Sequence, residues 1–345
     1  MQIDFLMVLI TVLSLVLLII PGFLLAKTKL ITQQAGSFFS AMVLYGCQPL
    51  LMIMSFQKAT FSTQVLINMA IVFALALLVH FIMIGTAVLV CRQKYKGTKL
   101  TKEEIDKKAK LNCARFAIVF GNCGYMGLPF LQTLFSNDPL VQGEIMAYCG
   151  IVLAVFNILN WTVGVYMFSN NKKDISIKKI IFNPTIIGVV LGFLLFVIFK
   201  KPIVDLAPAN TTLALLLEKL MSSVNFLGNM VTPLSMTVIG IKLANIKFSS
   251  LFTNKLAYSV SFFKLIVASV ITMLVVGFLP IDNVVKYALF FTLSMPSATS
   301  TTLFAIQFKG DGETASIMVL LSTILSIITI PLMFLVFANL FGLVM

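Results

Sequence analysis

Ten apolar stretches, each near the length of a membrane-crossing helix and each bounded by charged or turn-forming residues, constrain this chain more than any other feature. They run 4–26, 34–56, 62–91, 111–135, 143–168, 182–199, 213–243, 256–278, 284–307 and 314–341. A helix needs about 20 apolar residues to cross a bilayer, and within lipid its backbone polar groups must be satisfied inside the helix. Lys27-Thr28-Lys29, Asn137-Asp138-Pro139, Lys200-Lys201-Pro202 and Gly310-Asp311-Gly312 punctuate the runs. Only 11% of residues are charged, against about 25% in soluble domains, so the chain lacks the charge to cover a water-facing surface. The expected fold is an all-α integral membrane protein of ten transmembrane helices. The first run reads as a span and not as a signal peptide, because Asp4 stands where a positive n-region belongs.

The basic residues orient the spans. With the N-terminus outside, the inner loops carry Lys27 and Lys29, eight basic residues over 92–110, four over 172–179, then Lys242, Lys247, Lys255 and Lys309. The outer side holds only Lys58, Lys200, Lys201, Lys219 and Lys286, the asymmetry that cytoplasmic loops display. Both termini are therefore expected on the extracytoplasmic side of the cell membrane. The net charge of +13 reads as this topogenic signal, spread over several short loops, and not as a nucleic-acid surface. The 169–181 linker falls at the midpoint. It separates a first five-helix repeat at 1–168 from a second at 182–345. An odd number of spans in each half places the two halves in opposite orientations, the inverted-repeat plan of many transporters.

The chemistry concentrates where the spans carry helix breakers. Span 4 contains Asn122, Gly124, Tyr125, Gly127 and Pro129, and span 9 contains Ser294, Pro296, Ser297 and Thr299. A proline removes a helical hydrogen bond, and irregular backbone at membrane depth persists only against protein or a water-filled cavity. Both segments are predicted to be broken helices at a shared substrate site. Gln48 and Pro49 in span 2 and Pro233 in span 7 occupy matching places in the two halves. All twelve acidic residues fall in loops or near span ends, while Arg115, Lys264 and His80 lie inside spans. Half-helix N-termini also favour anions. A small organic anion is the substrate class this implies, with Lys264 as a candidate contact. Arg115 is within snorkelling reach of the inner interface, and His80 reads as hydrogen-bonded between helices. The five cysteines form no C-x-x-C pair and read as small buried hydrophobes. No zinc, serine-hydrolase or Walker motif occurs, so neither an enzyme activity nor a cofactor is expected.

Asn122-Cys123-Gly124-Tyr125-Met126-Gly127-Leu128-Pro129 resembles the N-x-G-x-x-G-x-P signature in the fourth span of the auxin efflux carrier family. Pro21-Gly22-Phe23, Gln48-Pro49-Leu50-Leu51, Pro233 through Gly240, Met295-Pro296-Ser297-Ala298, and Ala315 through Thr323 with Pro331 are similar to other spans of that family. The resemblance implies ten helices in two inverted five-helix repeats, with helices 4 and 9 crossing at their prolines beside the substrate. The short 169–181 linker resembles the microbial form, whose members are commonly permeases for malate, malonate and related carboxylates. A basic residue in the eighth span, here Lys264, also recurs there.

The leading reading is thus a secondary transporter of a small carboxylate, malate or a relative, by alternating access. The alternatives on the same scaffold are a ligand-binding membrane receptor and an anion channel. The expected partners are the anion and the lipid bilayer, with no nucleic acid, and the scheme leaves room for a homodimer. Single cysteines placed in a cysteine-free background should label from outside at both termini and at position 138, and from inside at 100 and 174. Labelling of both termini from the cytoplasm would remove the basis of the inverted repeat.

Overall fold

The computed structural model describes residues 3–92, 101–246, 248–308 and 310–343. Of the inner-loop basic residues, Lys94, Lys96, Lys99, Lys247 and Lys309 lie outside these. Besides two short helices at Ile177–Ile181 and Phe248–Thr253, twelve helical segments follow in chain order: α1 (Phe5–Lys27), α2 (Gln34–Lys58), α3 (Thr63–Val90), α4 (Lys102–Val119), α5 (Leu128–Leu134), α6 (Pro139–Ser169), α7 (Pro184–Phe199, continued by a short turn to Leu206), α8 (Thr212–Ala244), α9 (Lys255–Gly277), α10 (Asn283–Leu293), α11 (Ser300–Gln307) and α12 (Gly312–Phe341). Among the described residues there is no strand, and eight helices are long and apolar enough to cross a membrane. The chain is a multi-pass, all-helical membrane protein.

Local chemistry sets the helix starts. Asp4 accepts from the Met7 N–H (2.7 Å), Ser62 from Val65 (3.1 Å), Asn254 from Ala257 (3.0 Å) and Asp311 from Thr314 (2.8 Å), each filling a donor that the first turn leaves unpaired. Asn183 caps α7 ahead of Pro184, which has no N–H to lose. Thr101 and Glu104 form a reciprocal capping box. That box starts α4 at Lys102, nine residues before the apolar run at 111, because a charged first turn is stabilised by its cap without needing lipid. The eight apolar runs outside 111–135 and 284–307 match continuous helices to within a few residues at most ends. The run 111–135 divides instead into α4 and α5, and the run 284–307 into α10 and α11.

Close packing joins the first half of the chain to the second. A Cβ on Gly22 of α1 would strike the Thr237 backbone of α8. A Cβ on Gly240 would strike the backbone of Ile19 and Phe23. On the other side, a Cβ on Gly188 of α7 would lie 2.5 Å from the Pro49 carbonyl oxygen, and one on Gly192 3.1 Å from the Ile53 Cα. Small residues at these positions let the backbones approach, as membrane helices require when no water drives them together. Buried phenylalanines fill the space on either side of the two breaks: Phe116 packs on Phe304 (5.4 Å between ring centres) and Phe130 on Phe291 (4.9 Å). The five cysteines are buried and unbridged.

Gly240→Ala should lower the thermal stability of the detergent-purified protein, since overpacking costs about 1–3 kcal/mol where backbone cannot yield. Gly46→Ala, which adds its methyl to open space, should leave the melting temperature unchanged or slightly raised. Equal melting curves for both variants would show that the α1–α8 contact has slack.

Candidate functional site

The two breaks meet. After α4 the chain leaves helical geometry at Phe120–Asn122 and re-enters it through a π-helical turn, Cys123–Gly127. After α10 it unwinds over 294–299 before α11. Gly121 and Ser297 pair as an antiparallel bridge. The Asn122 N–H donates to the Pro296 carbonyl (2.7 Å) and the Ala298 N–H to the Phe120 carbonyl (2.8 Å). Each break thereby satisfies backbone groups that the other lost with its helix, the condition for irregular chain at membrane depth.

Side chains extend the exchange. The Ser297 hydroxyl donates to the Ala117 carbonyl (3.0 Å), and the Cys123 thiol to the Thr292 carbonyl (3.4 Å). Ser322 of α12 accepts from the Ser297 N–H (3.1 Å), and Ser300 donates to Asn160 of α6 (3.3 Å). Lys264 sits inside a π-helical turn of α9, Phe263–Val267, and is 2% exposed. Its ammonium donates to the carbonyl of Leu293 (3.2 Å) and, at 3.5 Å, to that of Val119. These are the last residues of α10 and α4, so one cation serves the negative ends of both half-helices. Beside it His80, Gly121 and Cys123 line a cavity of about 10 Å³, on the order of one water. His80 itself contacts the Ala76 carbonyl one turn back in α3 (2.7 Å).

On the other side of the first break the amides are free. The Asn122 side chain is 3% exposed, and its Nδ2 has no hydrogen-bond partner. Gln48 is buried and accepts from Thr185 (3.3 Å), with its own Nε2 against Gly124, where a Cβ would lie 2.8 Å away. Ser294 and Thr301 likewise hold buried hydroxyls without partners. A buried unpaired donor costs about 1–3 kcal/mol, so the free Asn122 amide beside the break is held at a cost to stability. Two amides and two hydroxyls offer N–H and O–H donors to an anion and no charge to repel it.

The expected residues therefore divide. Asn122, Gly124, Gly127, Ser294, Pro296, Ser297, Thr299, Gln48 and Lys264 gather at or against the crossing. Tyr125 turns away to donate to the Ser40 carbonyl of α2 (3.2 Å). Pro129 starts α5, and Pro49 packs on Gly188. Pro233 is exposed in the first turn of the second half of α8, just after a turn at Met230 that Gln132 brackets by bonding Asn229 and Thr232, both at 2.8 Å. Arg115 caps the C-terminus of α3 through the Cys91 carbonyl (2.8 Å). Ser322, Cys123, Asn160 and Thr185 are not among the expected site residues, although Cys123 and Ser322 fall within the motifs that carry the resemblance. Beyond that, only a polar residue within an apolar run marks them.

Replacing Lys264 with Gln should lower thermal stability and the maximal transport rate more than it raises the Michaelis constant, because the ammonium holds backbone and its cavity takes only about one water. A raised Michaelis constant with unchanged rate and stability would instead put the ammonium on the substrate.

Known proteins bear on this geometry. The sequence matches the membrane transport protein family over residues 7–179 and 173–334. A relative from Methanocaldococcus jannaschii, an uncharacterized transporter, is 23% identical over 323 residues, covering 93% of this chain and 96% of the relative. With the paired breaks on the fourth-span signature, these matches identify a transporter and not an enzyme: the chain belongs to the membrane transport protein family, that of the auxin efflux carriers.

Proposed function

We propose that the protein is a secondary transporter that moves a small organic anion, a carboxylate, across the cell membrane by alternating access. The observation that carries this reading is the crossing: two broken segments paired through their backbones, with the Asn122 amide buried and unpartnered beside them. Anion recognition by amides fits a substrate that is released after each cycle, since neutral donors hold a carboxylate less tightly than a guanidinium fork. Malate, the substrate class of the microbial proteins the sequence resembles, is the first candidate.

The same reading takes α4 with α5 as the fourth span and α10 with α11 as the ninth, giving ten spans in two inverted halves, 1–168 and 182–345. The helix pairing supports it. In an inverted repeat span 1 corresponds to span 6 and span 2 to span 7. The close contact of span 1 with span 7 through Gly22 and Gly240 then has its counterpart in the contact of span 6 with span 2 through Gly188 and Gly192. The exchange of Ser297 to Ala117 and Cys123 to Thr292 is reciprocal in the same sense. The loop charges support termini on the outer side, and a homodimer is compatible with this arrangement.

Purified protein in proteoliposomes should catalyse saturable counterflow of a labelled carboxylate. Flux that rises linearly with concentration, without counterflow, would support a channel, and binding without flux a receptor. Asn122→Ala should reduce counterflow at least tenfold while leaving the yield and melting temperature of the protein near those of the parent. Near-parental counterflow in that variant would make the span-4 motif purely structural.

A further inference from the structure

A second cavity, of about 90 Å³, lies between α1, α8 and α12. Its walls are Val12 and Leu15 of α1, Met236 and Ile239 of α8, Leu320 of α12, and Met126, which belongs to the π-helical turn of the first break. Membrane protein interiors are close-packed, and voids larger than a water are few. This one stands where α1 and α8 are otherwise in backbone contact through Gly22 and Gly240.

Its chemistry is uniform. Thr323 is the one hydroxyl residue on the wall, and its Oγ1 is already committed to the Val319 carbonyl (2.8 Å). A carboxylate or hydroxyl entering the cavity would give up water and find no partner, which costs several-fold more than burying a methylene gains. Two features tie the cavity to the crossing. Met126 is four residues from Asn122, and its N–H bonds the Asn122 carbonyl (3.1 Å). Thr323 directly follows Ser322, which holds the Ser297 N–H of the second break. The five-residue turn after the first break therefore lines the apolar cavity through Met126 and follows directly on Asn122, whose amide Nδ2 is free.

We infer that the cavity receives the apolar tail of the transported anion, and that the preferred substrate is a monocarboxylate with a short aliphatic chain, its carboxylate at Asn122 and Gln48. An engineered cavity of about 150 Å³ holds benzene; about 90 Å³ takes a chain of roughly three carbons beyond the carboxylate. The inference rests on the carrier reading and replaces malate as first candidate. A dicarboxylate would place its second charge among aliphatic side chains.

Isothermal titration of the detergent-purified protein with acetate, propionate, butyrate and L-malate tests this without the leakage of short acids through liposomes. The dissociation constant should fall about three- to fourfold with each added methylene, and butyrate should bind more tightly than malate. Ile239→Phe fills the cavity and should flatten the series, bringing the butyrate-to-acetate ratio near one. Leu243→Phe, at the half-buried rim, should compress the same ratio and guards against a folding defect in the first variant. A flat series in the parent protein, malate binding as tightly as butyrate, or a series unchanged in both variants would each overturn the tail assignment. The carrier reading would survive those outcomes. Failure of every anion to bind would remove the carrier reading and the tail assignment together.

Discussion

Two hydrogen bonds, Asn122 to Pro296 and Ala298 to Phe120, hold the centre of this molecule. Each closes a gap in one helix with a group from another. In a soluble protein a broken helix is repaired by water. Here the breaks lie among buried residues, and a lone break would strand several peptide groups at a few kcal/mol each. The two interruptions are stable only as a pair, so whatever fixes their approach fixes the site. Lys264 is part of that approach. Its ammonium lies where the carbonyl ends of α4 and α10 converge, and Gly121 leaves room for it, since a Cβ there would sit 3.0 Å from the Nζ.

Around the crossing the polar groups divide into two kinds. One kind is engaged and continues outward: the side-chain oxygen of Gln48 with Thr185, Asn183 with Asn157 (3.2 Å), Ser300 with Asn160. These bonds tie α2 to α7, α7 to α6, and α6 to the start of α11 just after the second break. The other kind has no partner in the structure, as at Asn122 Nδ2 and the hydroxyls of Ser294 and Thr301.

Much of this was legible before any coordinates. Prolines and glycines in spans 4 and 9 announce a break because no continuous helix tolerates them cheaply, and Asp, Asn, Ser and Thr ahead of apolar runs announce the starts. What the sequence does not carry is the partner across each gap. Ser322 and Cys123 look like any small residue in an apolar run, and their roles come from which helix arrives opposite. Pro233 illustrates the converse. It matches Pro49 in placement along the chain, yet it faces outward beside a turn braced by Gln132, because position in a span does not say which face is turned inward. Lys264 was visible as a costly charge; that it holds two carbonyls and leaves space for about one water follows only from how α4 and α10 end.

The π-helical turn in α9 has its own consequence. Such a turn accommodates one residue more than an α-helical turn, which shifts the angular phase of everything after it by about 100°. The segment before it, with Ala257, Val260 and Ser261 buried, packs on α12 and α4; the segment after it, with Ala268, Thr272 and Met273 buried, packs chiefly on α10 and α3 and less on α12. One helix thus presents two differently oriented inner faces, with the lysine at the seam between them. Shortening the turn by a single residue would bring the two faces into one line, and the phase on one side of the seam would be lost even though every side chain but one were kept.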